Sequence, residues 1–259
     1  MTHRVWIPLV IATFGVVLVA RADSPTPIKQ RGSAGSGSRI TAEEVRNCCK
    51  KLLEMQEAVC RETRSLESDL KEAEDDKTRA AIAQQSTDQS VTQNKIVGEC
   101  TRALEMLEEE GLTFAFPESF RQLRRDMMNV EARLKSTDVG ALTQSIEQDI
   151  IDELKQMILD SMKYSEHYSG PGRPPDSPQR PLDLRTELKR VRSMQIIVSN
   201  RTKMYHEAYP DEEQLKPENA KDPKAKAKLE QFQKELQELS NQEATIQRIV
   251  RDIIQSKNK

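Results

Sequence analysis

Apolar residues recur at three- and four-residue steps along most of this chain, in long stretches separated by polar segments. This spacing places apolar side chains on one face of an α-helix and leaves the other faces to polar residues. From residue 41 onward the pattern therefore predicts an all-α fold. We expect extended helical hairpins or coiled coils in two regions joined by a Pro-rich linker.

The first predicted helix begins at Thr41, whose hydroxyl group can cap it while Glu44 reaches back to the backbone. Its apolar face comprises Val45, Cys48, Cys49, Leu52, Met55, Val59, Leu66, Leu70 and Ala73. The apolar face fades over residues 71–79 and returns with Val91, Ile96, Val97, Cys100, Leu104 and Leu107. We interpret this stretch as two helices folded into a hairpin that ends at Gly111.

Two further helices are predicted within the region 41–168. Pro117 suits the first turn of a helix that is expected to run to about Lys135. The next helix follows the capping residues 136–138 and has the widest apolar face of the chain, made of Leu142, Ile146, Ile150, Ile151, Leu154, Met157, Ile158 and Met162. A face of this width must be buried against another helix or another chain.

The segment 169–181 (SGPGRPPDSPQRP) contains five prolines and reads as a linker between two regions. The region 182–259 beyond it is predicted to form a C-terminal helical hairpin or coiled coil. Its first helix has its apolar residues at Leu184, Leu188, Val191, Met194, Ile197, Val198 and Tyr205, and it ends before Pro210.

The last helix has the most regular heptad pattern, in which only Glu243 is polar. Its apolar positions, which we predict to be the face for a partner helix, are Leu229, Phe232, Leu236, Leu239, Ile246, Val250 and Ile253. Packing against residues 182–209 would bury this face, and so would self-association. The pattern alone does not choose between the two.

The N-terminus has the three-part layout of a signal peptide: Arg4, an apolar run over residues 5–20, and the small-residue pattern Ala20-Arg21-Ala22. The run is shorter than the ~20 residues that a membrane-spanning helix needs. We therefore predict a signal peptide over residues 1–22, a flexible leader over residues 23–40, and export to the periplasm, cell envelope or extracellular space. The alternative is an uncleaved anchor, the one case in which the protein would contact a membrane.

The composition limits both the core and the partners of this protein. The chain is 36% hydrophobic, 4% aromatic and 32% charged, which favours thin, solvated helices over a large globular core. Its 40 basic and 42 acidic residues are interspersed, so we expect no nucleic-acid partner. The short basic clusters, Arg121, Arg124 and Arg125 and then Arg185, Lys189, Arg190 and Arg192, are interpreted as solvated helix faces.

Four cysteines in an exported chain raise the question of disulfides. Cys49 and Cys60 lie roughly 16 Å apart on one helix, so any bridge must cross between helices. Pairing Cys60 with Cys100 centres the hairpin turn on Ala80, whereas pairing Cys48 or Cys49 with Cys100 centres it near Glu74. We favour the Cys60–Cys100 disulfide, which leaves Cys48 and Cys49 free or bridged to another chain.

The sequence contains no recognisable motif for catalysis or for binding a cofactor. The cysteine spacing differs from that of zinc modules, and the chain has no nucleophile elbow, phosphate-binding Gly loop or HExxH motif. We therefore predict no catalytic, cofactor-binding or metal-binding residues, and we expect that the protein is not an enzyme.

Three stretches in the second half of the chain carry a family resemblance: VGALTQSIEQDIIDELKQMI, LDLRTELKRVRSMQIIVSNRT and LSNQEATIQRIVRDI. From Val139 to the end, the chain resembles an uncharacterised family of exported helical proteins found in planctomycete-type bacteria. The resemblance implies an envelope or periplasmic location and the same order of helix, Pro-rich linker and helical hairpin. It implies no activity and no site residues.

Apolar stripes without recognisable chemistry favour a non-catalytic structural or scaffolding protein of the cell envelope. Its expected partners are proteins, or further copies of itself, bound through amphipathic helices. The main alternative is a periplasmic chaperone or an accessory subunit of a membrane energy-transducing complex, which needs an exposed apolar or basic cleft. An enzyme is a more distant alternative, since it needs a pocket with converging polar groups.

N-terminal sequencing of the mature protein tests the predicted export signal. Because the small-residue pattern ends at Ala22, the mature chain is expected to begin at Asp23 or very near it. Recovery of intact Met1 in the membrane fraction would contradict cleavage and support the anchor instead.

Overall fold

The computed structural model describes residues 42–109, 115–168, 184–208 and 222–257, and every regular element in these ranges is an α-helix. The helices are α1 (Ala42–Glu72), α2 (Asp76–Glu109), α3 (Ala115–Lys135), α4 (Ala141–Tyr168), α5 (Leu184–Ala208) and α6 (Pro223–Lys257). The predicted all-α fold is therefore confirmed. The signal segment, the leader and the Pro-rich segment 169–181 lie outside the described residues.

The turn between α1 and α2 determines which residues of the two helices face each other. Asp75 caps α2, since its carboxylate accepts hydrogen bonds from the backbone N–H and the hydroxyl group of Thr78, both at 2.8 Å. The turn is thus centred on Glu74. Positions equidistant from Glu74 come together, as in the hydrogen bond from Gln93 to Gln56 at 3.0 Å.

This register corrects the predicted disulfide, because it brings Cys49, and not Cys60, to the level of Cys100. All four cysteines are free thiols. Cys60 faces α4, where its thiol interacts with Glu147, and the Cys100 thiol donates to the backbone carbonyl of Phe120 on α3 at 3.7 Å. The favoured pairing of Cys60 with Cys100 is therefore wrong, and the turn near Glu74 is the alternative that holds.

Helices α1 to α4 pack as a closed set, in which α1 contacts α2 and α4, and α3 contacts the same two helices. The core residues contributed by α3 are Phe120, Leu123, Met127, Val130 and Leu134, and those contributed by α4 include Ile146, Ile150, Leu154 and Met157. The wide apolar face predicted on α4 is thus largely buried. Two positions of the apolar faces predicted on α2 and α4, Val91 and Met162, are instead exposed to solvent.

The turn between α3 and α4 places an acidic side chain beside a basic one. Thr137 adopts a left-handed conformation with φ of 59°. The Asp138 N–H donates to the Arg133 carbonyl at 2.8 Å and the Thr137 N–H to the Leu134 carbonyl at 3.0 Å, the pattern of a Schellman C-cap. This compact turn brings the Asp138 carboxylate to the Arg133 guanidinium at 2.8 Å.

Helices α5 and α6 pack against each other and form a second apolar cluster. The rings of Tyr205 and Phe232 meet edge to face with their centroids 4.9 Å apart, and Gln195 donates to Glu243 at 2.9 Å. Of the predicted partner-helix face, Phe232, Leu239, Ile246 and Ile253 are buried, and Leu229, Leu236 and Val250 are half-buried. The face is therefore used within the chain.

The α6 stripe differs in detail from the predicted heptads. Beyond Leu239 the buried positions are Gln242, Ile246, Ile249 and Ile253, so Gln242 replaces Glu243 and Ile249 is more deeply buried than Val250. The predicted and the observed series both alternate three- and four-residue steps. Because Gln242 is polar, the pattern of apolar residues did not identify it as a core position. The coiled-coil packing that the heptads suggested stays a prediction.

None of the helices that the structure describes is both long enough and apolar enough to cross a membrane.

A pair of leucine substitutions tests which positions form the core. Leu123→Ala removes a side chain that is 1% exposed, whereas Leu188→Ala removes one that is 44% exposed although it lies on the predicted apolar stripe. We expect Leu123→Ala to lower the free energy of unfolding by about 2–5 kcal/mol and Leu188→Ala to change it by about 0.5 kcal/mol or less. Urea unfolding followed by circular dichroism measures both, and equal losses would contradict the assignment.

Candidate functional site

A layer of buried charged side chains joins the α5–α6 pair to α3 and α4. We call this layer the ionic interface, and its members are Asp126, Arg133, Asp149, Glu153, Asp160, Arg190, Arg201, Tyr205 and Glu235. Buried charges are rare in proteins unless they are paired, so this concentration sets the region apart from the rest of the chain. The layer lies between the apolar cluster of α1–α4 and that of α5–α6.

Arg201 on α5 binds two carboxylates at once. Its guanidinium forms an ion pair with the buried Asp126 of α3 and donates to Asp149 of α4 at 2.9 Å. Gln122 adds two hydrogen bonds of 3.0 Å to the Asp126 carboxylate. Burial by itself lowers the pKa of Arg201, but the charges and hydrogen bonds of Asp126 and Asp149 outweigh burial and raise it. The guanidinium therefore stays charged in the interior.

Arg133 on α3 holds α6 through a two-pronged contact with Glu235. Its Nε donates to Glu235 Oε1 at 3.1 Å and its Nη2 to Oε2 at 2.6 Å, a geometry that guanidinium and carboxylate groups favour. The Tyr205 hydroxyl of α5 donates to the same Oε2 at 2.6 Å. Burial first, and then the charge of Glu235, raise the pKa of Tyr205, so its hydroxyl remains a donor.

Arg190 forms the third contact. It lies near the N-terminal end of α5, whereas Arg201 lies near the C-terminal end. Arg190 donates to Glu153 at 2.8 Å and to Asp160 at 3.0 Å, both on α4. Ser193 donates to the second oxygen of Glu153 at 2.8 Å. Arg190 and Arg201 lie about three turns apart on α5, so the two guanidinium groups project from one face.

This arrangement is suited to recognising one helix by another. Each guanidinium must meet its carboxylates in one register, whereas apolar side chains tolerate shifts along a helix at smaller cost. The ionic interface thus specifies how α5 and α6 lie on α3 and α4, a constraint that the two apolar clusters do not impose by themselves.

Most of the ionic interface was not predicted from the sequence. Arg190, which was expected to lie in a solvated cluster, is instead buried against α4. Two signals were available: Arg201 falls on the apolar stripe between Val198 and Tyr205, and Glu235 lies next to Leu236 on the α6 stripe. A charge on an apolar stripe indicates a buried partner on another helix.

Within the described ranges, no group of three or more His, Cys, Asp or Glu side chains is placed to hold a metal ion. A gap between α1, α2 and α3, lined by Val45, Cys48, Ala103, Leu107 and Phe120, has no room for a water molecule. This gap is a packing defect of the core and no place for a ligand.

No protein-family model, curated protein or solved structure matches this chain. The resemblance of the second half to a family of exported helical proteins therefore stays a prediction.

Two arginine substitutions test how much the buried charges matter. Arg201→Gln leaves Asp126 and Asp149 without their cation, so we expect the free energy of unfolding to fall by about 3–5 kcal/mol. Arg102→Gln is the control, because Arg102 is 66% exposed and pairs with Glu99 at the surface. That change is expected to cost about 1 kcal/mol or less. Equal losses in chemical denaturation would show that the ionic interface is not special.

Proposed function

We propose that the protein is a non-catalytic structural or scaffolding protein of the cell envelope that acts through helix–helix interactions, with the α5–α6 pair as its binding arm. The observation that supports this proposal is the ionic interface, a charged layer between two separate apolar clusters. Its members come from four helices and are directed at one another.

The composition of the ionic interface favours reversible association. If α5 and α6 separate from α3 and α4, the apolar residues shared between α5 and α6 stay covered, while the released Arg and Asp or Glu side chains become hydrated. Interfaces between parts of one chain are commonly polar in this way and resemble those of transient complexes. The α5–α6 pair can therefore exchange one helical neighbour for another at a moderate cost.

The charges also define the partner. Arg190 binds Glu153 and Asp160, which lie about two turns apart on α4. A partner helix with carboxylates at the same spacing would offer α5 the same contacts. Charge complementarity of this kind selects partners and their register more than it adds affinity. Protein helices, including those of a second copy, are thus the expected partners.

The envelope location is the part of the proposal that comes from the N-terminal sequence. Residues 1–22 lie outside the described residues, so this part depends on the signal-peptide pattern alone.

Cross-linking of the full-length protein in envelope fractions tests the proposal. Glu235→Lys places a positive charge against Arg133 and removes the acceptor of the Tyr205 hydroxyl, so the arm is expected to separate from α3. We expect wild-type protein to be cross-linked to a protein partner or to itself, and Glu235→Lys to increase the cross-linked fraction severalfold. Size-exclusion chromatography with light scattering should also detect an expanded particle.

The matched control is Glu230→Lys, the same change at an exposed position of α6. It is expected to leave both the particle size and the cross-linked fraction unchanged. A wild-type protein that is a monomer without partners in the envelope, together with no effect of Glu235→Lys, would overturn the scaffolding proposal.

A further inference from the structure

A buried acid lies away from the ionic interface, where α4 packs on α1. Glu147 is 0% exposed and faces Cys60 and Thr63. Within the described residues it forms no ion pair, in contrast to the carboxylates of the ionic interface. The positive charge that acts on it comes from Arg64, but that guanidinium is hydrogen-bonded to Gln148 at 3.3 Å. An ionised Glu147 would therefore be a buried charge without a direct partner.

The number of hydrogens at Thr63 indicates which form of Glu147 fits. The Thr63 Oγ1 lies 2.7 Å from Glu147 Oε1 and 3.0 Å from the backbone oxygen of Val59. A hydroxyl group has one hydrogen, whereas a carbonyl oxygen and a carboxylate can only accept. If Glu147 is ionised, the single hydrogen of the Thr63 hydroxyl group serves only one of these two contacts, and the other brings two oxygen atoms together with no hydrogen between them. With Glu147 protonated, its O–H donates to Thr63 and the Thr63 hydroxyl donates to Val59.

We propose that Glu147 is protonated when the protein folds at mildly acidic pH, and that its ionisation loosens the contact between α1 and α4. The junction of Cys60, Thr63 and Glu147 would then make the packing of α1–α4 sensitive to pH near neutrality. This inference is independent of the scaffolding function and of the ionic interface.

The surroundings of Glu147 support a change in the neutral range. Burial raises the pKa of Glu147 to about 7, against smaller opposite effects of the hydrogen bonds with Thr63 and Cys60 and of the Arg64 charge. Burial, and then Glu147 itself, raise the pKa of Cys60 to about 11, so the thiol adds no charge.

Within the part of the chain that the structure describes, α3 and α5, the other helices that pack on α4, contribute no cation to Glu147. Toward α3 and α5, α4 presents Asp149, and Arg201 of α5 pairs with Asp149 and with Asp126 of α3. On α1, the facing groups are Cys60 and Arg64. Glu147 is therefore neutralised by a proton and by no neighbouring charge.

The direction of the pH dependence follows from linkage. In the unfolded chain Glu147 has its ordinary pKa of 4.5, lower than the folded value of about 7. The contribution of Glu147 to stability is therefore complete below about pH 4.5, falls as the pH rises between the two values, and is lost above about pH 7. Folding takes up a proton in this interval.

Glu147→Gln tests the inference, because the amide keeps the shape of the acid and donates a hydrogen to Thr63 at every pH. We expect the Tm of the full-length variant to equal that of wild type at about pH 4 and to be roughly 5–10 °C higher at about pH 8. Glu62→Gln, the same change at an exposed position of α1, is the control and should give no gain at either pH.

Carbon-13 NMR of the glutamate carboxyl groups measures the protonation directly in the wild-type protein, whatever the stability of the variants. We expect one carboxyl resonance to titrate at about pH 7 and to be absent from the Glu147→Gln spectrum. Amide exchange in α1 and α4, corrected for its intrinsic pH dependence, should accelerate above that pH in wild type only. Titration of every glutamate in its ordinary range, or an equal Tm gain of Glu147→Gln at both pH values, would overturn the proposal.

Discussion

The pairing of Arg201 with Asp126 and Asp149 is the interaction on which the arrangement of the C-terminal helices depends. The Arg201 guanidinium and the Asp126 carboxylate, both removed from water, are tolerable only together, since each one alone would be a buried charge, and the half-buried Asp149 adds a second acceptor. This requirement fixes α5 against α3 and α4 together. The contact of Arg133 with Glu235 does the same for α6. The apolar clusters supply the hydrophobic driving force, and the charges select one way of combining them.

The protein buries acids in two different ways. In the ionic interface, Asp126 and Glu235 keep their place because an arginine from another helix meets each of them. At the junction of α1 and α4, Glu147 has no such partner among the described residues, and a proton is the means of removing its charge. Neutralisation by an arginine depends on which helices are docked, whereas neutralisation by a proton depends on the pH. The ionic interface should therefore respond to a change of helical partner, and the junction of α1 and α4 to a change of pH.

The binding arm that we propose, made of α5 and α6, would combine stability with the ability to change neighbours. The face of α6 that the heptads mark for a partner is already occupied by α5, as the contact of Tyr205 with Phe232 illustrates. The side that would be exchanged in the proposed association is the charged side, where Arg190 and Arg201 contact α3 and α4. Its choice of partner would be selective because wrong registers leave buried charges unpaired.

Sequence alone determined where the helices lie and which broad faces are apolar. Periodicity and proline-rich breaks act over a few residues, so they can be read locally, and the helix ends near Lys135 and before Pro210 agree with the prediction. Only the tertiary structure decided that Cys49, rather than Cys60, comes level with Cys100, and that Arg190 is buried. Hairpin register depends on one turn among several acceptable ones, and burial of a charge depends on partners far away in the chain, such as Glu153. Neither is encoded in the neighbouring residues.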